Sequence, residues 1–514
     1  MKRCWLIIIL LLSFSAVTVA DNTESLEKAL RTSIQQDPPE KTLILLKSYP
    51  DKKSFFYYFV SGQTLMALSD PGLAQTYYQA AYATAKNNDE KIVALFGLEN
   101  SALWLENYED ALKAYHSLSQ LPLNSEDIEI ATAGAVIAKT NMDYPRSAYA
   151  MLPRPPLFAY PKSVIAATRA ALAAGWGYKA KAIWQANNAV LEKIPAGSYL
   201  KNQEVDVNWH LLQETAPGSA NLDYYTIRDS ANFKIERKSV YGSYRALGVN
   251  SNTAVLAMDS SYFSPTHVAN ANMLFLKQDF LNIWDKLNLN LAAVPTRVNY
   301  YIDHEAAWDP FLWQTGATYY VNDKLYFNVS NDRGLVETPL ALQNRIMINT
   351  TEGSIFVHPW ARWYARFGGF HARFTDTNNR DGFSTAAMYQ LIRELGLFTE
   401  LRYRQYRNTF FNDPNYFSPA KLEETTLFLI FKRRLTPTIF LFAEGGVGNQ
   451  FIHSTPDSEA SKQSILAYDL AIAKNIGRNS QLKVNYGYTQ NAFNNFVGAY
   501  AQTYFDVNFQ MFFD

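Results

Sequence analysis

From about Leu222 to the C-terminus, side chains sort by odd and even position, and one of the two faces is apolar along its length. In the final segment Phe505, Val507, Phe509, Met511 and Phe513 share one face, and Asp506, Asn508 and Gln510 the other. A period of two belongs to strands with two unlike faces. Leu482, Val484, Tyr486 and Tyr488 oppose Lys483, Asn485 and Gly487 in the same way, and Leu287, Leu289 and Leu291 oppose Lys286, Asn288 and Asn290. Ala361, Trp363, Ala365 and Phe367 oppose Arg362, Tyr364 and Arg366, and arginines in line need a hydrated interior. A soluble sandwich would alternate too. Aromatic residues make up 15% of the chain and lie mostly after residue 220, and the last strand is aromatic, which favours rings at a lipid boundary. Lipid requires every backbone amide to be paired within the protein, and a closed sheet achieves this without an edge. The expectation is a transmembrane antiparallel β-barrel over 222–514. Strands of about ten residues plus turns make room for about 14 to 16 of them.

Export agrees with that reading. Residues 1–20 have the form of a signal peptide: Lys2 and Arg3, the apolar run Trp5 to Leu12, then Thr18 and Ala20 before Asp21. The sole cysteine, Cys4, precedes the apolar run, so it is not a lipoprotein signal, and the mature chain is expected to have no thiol chemistry. No later segment offers 18 uncharged apolar residues, so entry into a membrane must be by strands. Forty-seven basic residues balance 47 acidic ones, which gives no support to nucleic-acid binding through net charge.

Residues 21–215 are rich in Ala, Leu, Lys and Glu, with apolar residues at spacings of three and four, the period of helices with one buried face. Asn107-Tyr108-Glu109-Asp110-Ala111-Leu112-Lys113-Ala114-Tyr115, followed by Leu121-Pro122, resembles the second helix of a tetratricopeptide repeat, with Tyr108, Ala111 and Tyr115 as packing positions. Asp143 to Ala148 and Gly177 to Ala180 repeat the register at about 34 to 36 residues, and Ala74, Tyr78 and Ala81 form an earlier copy. Glu99 stands where that family prefers glycine, and Leu95 at its tryptophan position. The expected fold is a periplasmic tetratricopeptide-like solenoid followed by a barrel, with the boundary around Ala216-Pro217-Gly218-Ser219.

A second resemblance lies in the barrel. Tyr416-Phe417-Ser418-Pro419, followed by the strand Thr425 to Phe431, resembles a segment of the cellulose-synthase outer-membrane subunit and its relatives. The same four residues recur as Tyr262-Phe263-Ser264-Pro265, also ahead of a Leu-Phe-Leu strand. Repeats before a C-terminal barrel fit the same family. The resemblance implies export of an exopolysaccharide, with lipid, the barrel-assembly machinery and periplasmic or inner-membrane synthase components as partners. The chain departs from that family in having room for about four or five repeats, and in ending Phe512-Phe513-Asp514 rather than on an aromatic residue. Its length and division also resemble the surface lipoprotein assembly modifiers; a surface receptor or general porin is a third class.

Facing alone assigns Arg362, Tyr364, Arg366, Arg402, Arg404, Lys483, Asn485, Asp506, Asn508 and Gln510 to the lining of a hydrated bore. Lumen salt bridges that only brace the barrel are an equal reading. No catalytic, metal or cofactor constellation emerges. His304-Glu305 lacks the second histidine of a zinc-protease helix, and Glu444-Gly445-Gly446-Val447-Gly448 reads as a strand kink or tight turn rather than a phosphate cradle. Asp376 to Gly382 has Arg380 where a calcium loop needs oxygen, so it reads as a hairpin turn.

Overall fold

The computed structural model describes residues 23–490 and 501–513, apart from 197, 231, 265, 302–305 and 437. The signal segment 1–20 with Cys4, Pro265, His304-Glu305 and Asp514 lie outside the described residues. The chain divides into two compact units, Met1–Ala138 and Lys139–Asp514.

The first unit is helical: α1 (Thr23–Gln36), α2 (Pro39–Lys47), α3 (Phe55–Ala67), α4 (Pro71–Thr84), α5 (Asn88–Trp104), α6 (Tyr108–Leu118) and the greater part of α7 (Ser125–Asn141). Short polar residues start the helices. The side chains of Asp70, Asn87 and Asn107 accept from the amides of Leu73, Glu90 and Asp110, so first-turn donors do not go unpaired. Helices next to each other in sequence pack together, α3 on α4, α4 on α5 and α5 on α6. Tyr78 explains the small residues between them. A Cβ on Gly97 would stand 2.4 Å from its ring, and one on Gly62 2.8 Å, so two helices close on one tyrosine because neither has a side chain there. The buried Glu99 faces Gly134 on α7, where a Cβ would lie 2.3 Å from its carboxyl carbon. The room that the repeat pattern would make at position 99 is thus made on the facing helix. Tyr108 and Ala111 are buried, and Tyr115 is half-buried beside Leu95 and Leu118.

The second unit opens with α8 (Pro145–Tyr149), α9 (Pro161–Ala173), α10 (Gly177–Ala186), α11 (Asn188–Leu191) and α12 (Tyr199–Thr215), of which α9 packs against each of the others. Strands follow: β1 (Gly218–Asp229), β2 (Lys234–Tyr244), β3 (Ser251–Ser264), β4 (Thr266–Ile283), β5 (Leu287–Tyr300), β6 (Phe311–Asn322), β7 (Leu325–Leu335) and β8 (Met347–Trp360). After β9 (Trp363–Phe374) come β10 (Asn379–Ile392), β11 (Leu397–Asn408), β12 (Lys421–Thr436), β13 (Ile439–His453), β14 (Ser461–Ile476), β15 (Ser480–Thr489) and β16 (Gln502–Phe513). A further short helix, α13 (Pro339–Gln343), lies between β7 and β8. The first strand begins four residues ahead of Leu222, because Gly218 already pairs with Phe513.

The 16 strands form a closed antiparallel barrel, each paired with its sequence neighbours and β1 pairing β16 from Gly218↔Phe513 to Asp229↔Gln502. Since β1 starts beside α12, the β2–β3, β4–β5 and later alternate connections lie at the helix-side end, and the rest at the far end. The outer face is greasy. Leu401, Leu427, Val447 and Leu466 are successive cross-strand neighbours and are 45–60% exposed, a row that only lipid would shield. Among the described residues no helix is long and apolar enough to cross a membrane.

Glu444 to Gly448 is neither a kink nor a tight turn. The run lies within β13 in unbroken register with β14. Gly446 leaves the space that the Phe428 ring of β12 fills, since a Cβ there would approach the ring to 2.4 Å. Asp376 belongs to the turn between β9 and β10, and Gly382 to β10 itself.

Candidate functional site

Antiparallel partners point to the same side, so one ion pair fixes the facing of a whole rung. Arg402 on β11 pairs with Glu400 at 2.7 Å and reaches across to Glu444 on β13 at 2.8 Å, with its guanidinium 4.0 Å above the Phe428 ring. This contact across two strands places Arg402, and with it Arg404, on the inner wall. Arg366 on β9 likewise pairs with Glu352 on β8. Tyr364, two residues before it, points the same way. On the β15–β16–β1 sector, Asn485 opposes Asp506, and Lys483 opposes Asn508, which donates to Asp223 at 3.2 Å. Gln510 continues that inner face opposite Asn221. Arg362 departs from its sequence-based assignment: it sits in the β8–β9 turn at the helix-side end, because β8 ends at Trp360 and β9 begins at Trp363. Alternation continued through the turn gave it a strand position it does not have.

The lining of the bore is not uniform. In the helix-side half a cavity of about 510 Å³ is lined by Tyr326, Phe356, His358, Tyr364, Glu400 and Arg402 among others. In the far half the inward side chains of β3 to β7 are largely apolar and packed: Tyr262, Ala271, Val294, Val298 and Leu312 form one buried cluster with Leu335 and Leu342. Ile348, Ala372, Phe374 and Tyr416 form another with Val336, Ala341 and Ile346. Arg380, Asn408, Glu424 and Gln450 on β10 to β13, by contrast, are buried polar groups. Alternation assigns these strand side chains to the interior without saying what stands opposite them there. On the side of β3 to β9 the β7–β8 connection fills the interior.

Both Tyr-Phe-Ser-Pro segments end in that filling. Tyr416 stacks on Phe374 at 4.3 Å and donates to Asp376 at 2.8 Å, while the Ser418 hydroxyl accepts from the Asp413 amide at 2.7 Å. The carbonyl of Phe417 accepts from Arg380, and that of Pro419 from Asn408 at 2.6 Å. Of the other copy, Tyr262 to Ser264 end β3, and Tyr262 donates to Glu337 at 2.8 Å. The surroundings differ, a long connection in one case and a tight hairpin in the other, but each delivers one tyrosine to the far-end core.

The helices of the second unit sit on the opposite rim, through residues that the repeat pattern explains only as filler. Asp323, in the β6–β7 turn, accepts from the amides of Arg146 at 2.9 Å and Ser147 at 2.8 Å, capping α8 from another element. In the β4–β5 turn, Asp285 accepts from Lys179 at 2.7 Å and from the Tyr178 hydroxyl, and its carbonyl accepts from Trp176 Nε1 at 3.0 Å. Lys179 also lies 3.8 Å over the Trp176 ring. Burial pushes the Asp285 carboxyl up, but the hydrogen bonds from Lys179 and Tyr178 with the charges of Lys179 and Arg146 outweigh it, so it sits below the ordinary carboxylate range. Burial and the Asp285 bond together hold the Tyr178 hydroxyl above the ordinary phenol range.

Further contacts add to the seat. Tyr144 stacks on His358 at 5.0 Å, which stacks on Tyr364 at 4.4 Å, and the Tyr364 hydroxyl donates to Asp143. Arg434, at the end of β12, pairs with Asp206 of α12, and Phe512 of β16 meets Trp209 edge-on at 5.7 Å. These contacts fall on β4/β5, β6/β7, β8/β9, β12 and β16, so they are spread around the closed ring rather than gathered on one side of it.

Closed strands, an apolar exterior and a partly polar interior define the chain as a membrane-spanning β-barrel protein. No family model matches the sequence, and no curated protein matches it. Among solved structures it is similar to a bacterial polysaccharide outer membrane secretin, at 11% identity over 58% of this chain and 99% of that one, with a TM-score of 0.47. CdiB from Acinetobacter baumannii is similar at 9% identity over 57% of this chain and 60% of its own, with a TM-score of 0.37. OpdQ from Pseudomonas aeruginosa follows at 10% identity over 57% and 98%, with a TM-score of 0.33.

Proposed function

We propose that this barrel is a channel for polymer export across the outer membrane, most simply of an exopolysaccharide. The helices before it, read as tetratricopeptide-like over 21–215, would lie in the periplasm and receive the chain from synthase components there or in the inner membrane. The observation that carries the reading is the collar: helices following the first unit seat around the rim of a barrel that encloses, on that side, a cavity reached by Tyr364, Glu400 and Arg402. A polymer handed along those helices would enter the bore directly. Inside, the two arginines Arg402 and Arg366 pair with the three carboxylates of Glu400, Glu444 and Glu352, which leaves one negative charge over and a wall that offers hydrogen bonds without a strong net field. An uncharged sugar chain fits that lining better than a polyanion. No catalytic role is part of the proposal.

Deleting the gene and staining for surface polysaccharide tests it. Loss of polymer is the expected result; undiminished polymer with loss of a surface lipoprotein would transfer the barrel to protein assembly. Block of single-channel current by oligosaccharides supports the sugar reading, whereas free passage of small solutes that oligosaccharides leave unchanged points to a general porin.

A further inference from the structure

The β7–β8 connection, residues 336–346, turns into the barrel instead of outward. Val336, Ala341 and Leu342 are fully buried there and Ile346 is 3% exposed. One edge lies against the walls of β3, β5 and β6 through Tyr262, Val294, Val298 and Leu312, and the other against Phe374 of β9 and Tyr416 of the β11–β12 connection. The segment is therefore a strap drawn across the bore. Polar ties hold it along both edges, among them the Tyr300 hydroxyl of β5 donating to the Leu342 carbonyl at 2.7 Å and Arg345 donating to the Ala306 carbonyl at 3.1 Å. Glu337 is gripped by the Arg237 guanidinium of β2 and the Tyr262 hydroxyl of β3. At the other edge Thr338 donates to the Asn415 carbonyl, and Asn344 to the Asn415 side chain at 2.6 Å. Beside the strap a cavity of about 710 Å³ remains, reaching Asp229 of β1, Ile452 of β13 and Gln463 of β14.

We propose that this strap is the gate of the barrel, latched shut by Glu337 and opening when the segment leaves the bore; the proposal rests on the channel reading above. The strap is joined to the wall only at the ends of two adjacent strands, β7 and β8, so it can move without breaking any strand pairing. Its apolar contacts alone favour the closed position without fixing its register. The charged latch fixes it, because a carboxylate drawn between Arg237 and Tyr262 has one seat and leaving it would strand the guanidinium in a partly buried wall. The cavity beside the strap is then the space into which a passing chain would push as the gate gives way.

Planar-bilayer recording of the full-length protein tests this with three proteins: wild type, Glu337→Gln, and an Asn344→Cys/Asn415→Cys variant in a Cys4→Ser background, joined by a short reducible bifunctional thiol reagent. The gate predicts that Glu337→Gln raises the open fraction about tenfold, the effect of removing one modest ionic bias between two states. Tethering should lower it below wild type until reductant is added. If Glu337→Gln does not assemble, the tethered variant before and after reduction decides alone. Equal conduction by wild type and both variants, tethered or reduced, overturns the gate and leaves the channel intact. Silence from all three at every voltage overturns the channel reading and the gate with it.

Discussion

Asp285 shows how one turn residue can tie a helical segment to a barrel. Its carboxyl is held below the ordinary range when folded, so it contributes stability that is complete above the unfolded value and is lost as pH falls through the lower folded value. With an unfolded reference near ~3.9, the collar should hold at neutral pH and loosen only below about pH 4. Hydrogen exchange of residues 143–186 in the whole protein, followed against pH, should show protection falling there. Asp285→Asn should lower that protection at neutral pH and flatten its change with pH. Tyr78 makes a steric counterpart. Gly97→Ala drives a methyl into a ring that Gly62 already confines, which should cost about 1–3 kcal/mol and appear as faster exchange across α3 to α5.

At the scale of strands, β11 to β13 work as one inner panel built on Arg402, Phe428 and Gly446. Replacing Arg402 by methionine leaves Glu400 and Glu444 facing each other with 16% and 14% of their side chains exposed. Breaking such a pair costs about 3–5 kcal/mol, so the folded band in a heat-modifiability gel should be lost at lower temperature. Adding Glu400→Gln and Glu444→Gln should restore most of it. Gly446→Val should block assembly by striking the Phe428 ring, and Phe428→Ala in the same chain should relieve it; continued failure of the double variant would mean that the glycine serves something other than that ring.

The whole molecule is organised by the difference between its two faces. Leu427→Arg, on the outer row, should cost about 2–4 kcal/mol in reversible unfolding from lipid, as charge does near a bilayer midplane. Thr426→Arg places the same charge on the inner wall directly opposite Arg402, and its penalty should be set by packing and like-charge repulsion rather than by lipid. Similar penalties that vary alike with bilayer thickness would contradict the assignment of faces. The interior also differs from place to place: one cavity lies under the helical collar, the strap packs against β3 to β9, and a second cavity remains beside the strap.

Local rules made much of this legible. Alternation marked β16, β15 and β5 and assigned facing to Tyr364, Arg366, Arg402 and Asp506, because pleat geometry is a property of neighbouring residues. The helical period and the small residues around Tyr78 were equally visible. The turn position of Arg362 was not, because alternation has no means of seeing where a strand stops. The same limit hid the filling of Gly446 by Phe428, the answer of Gly134 to Glu99, and the grip of Asp323 and Asp285 on α8 and α10. The strap was hidden as well: residues 336–346 show neither strand alternation nor a long helical period, and their inward course depends on Arg237, Tyr262 and Asn415, far away in sequence. Residue order settled which strand side chains face out and which face in; closure of the barrel alone decided what would stand opposite each inward group, and so where the bore is filled and where a cavity remains.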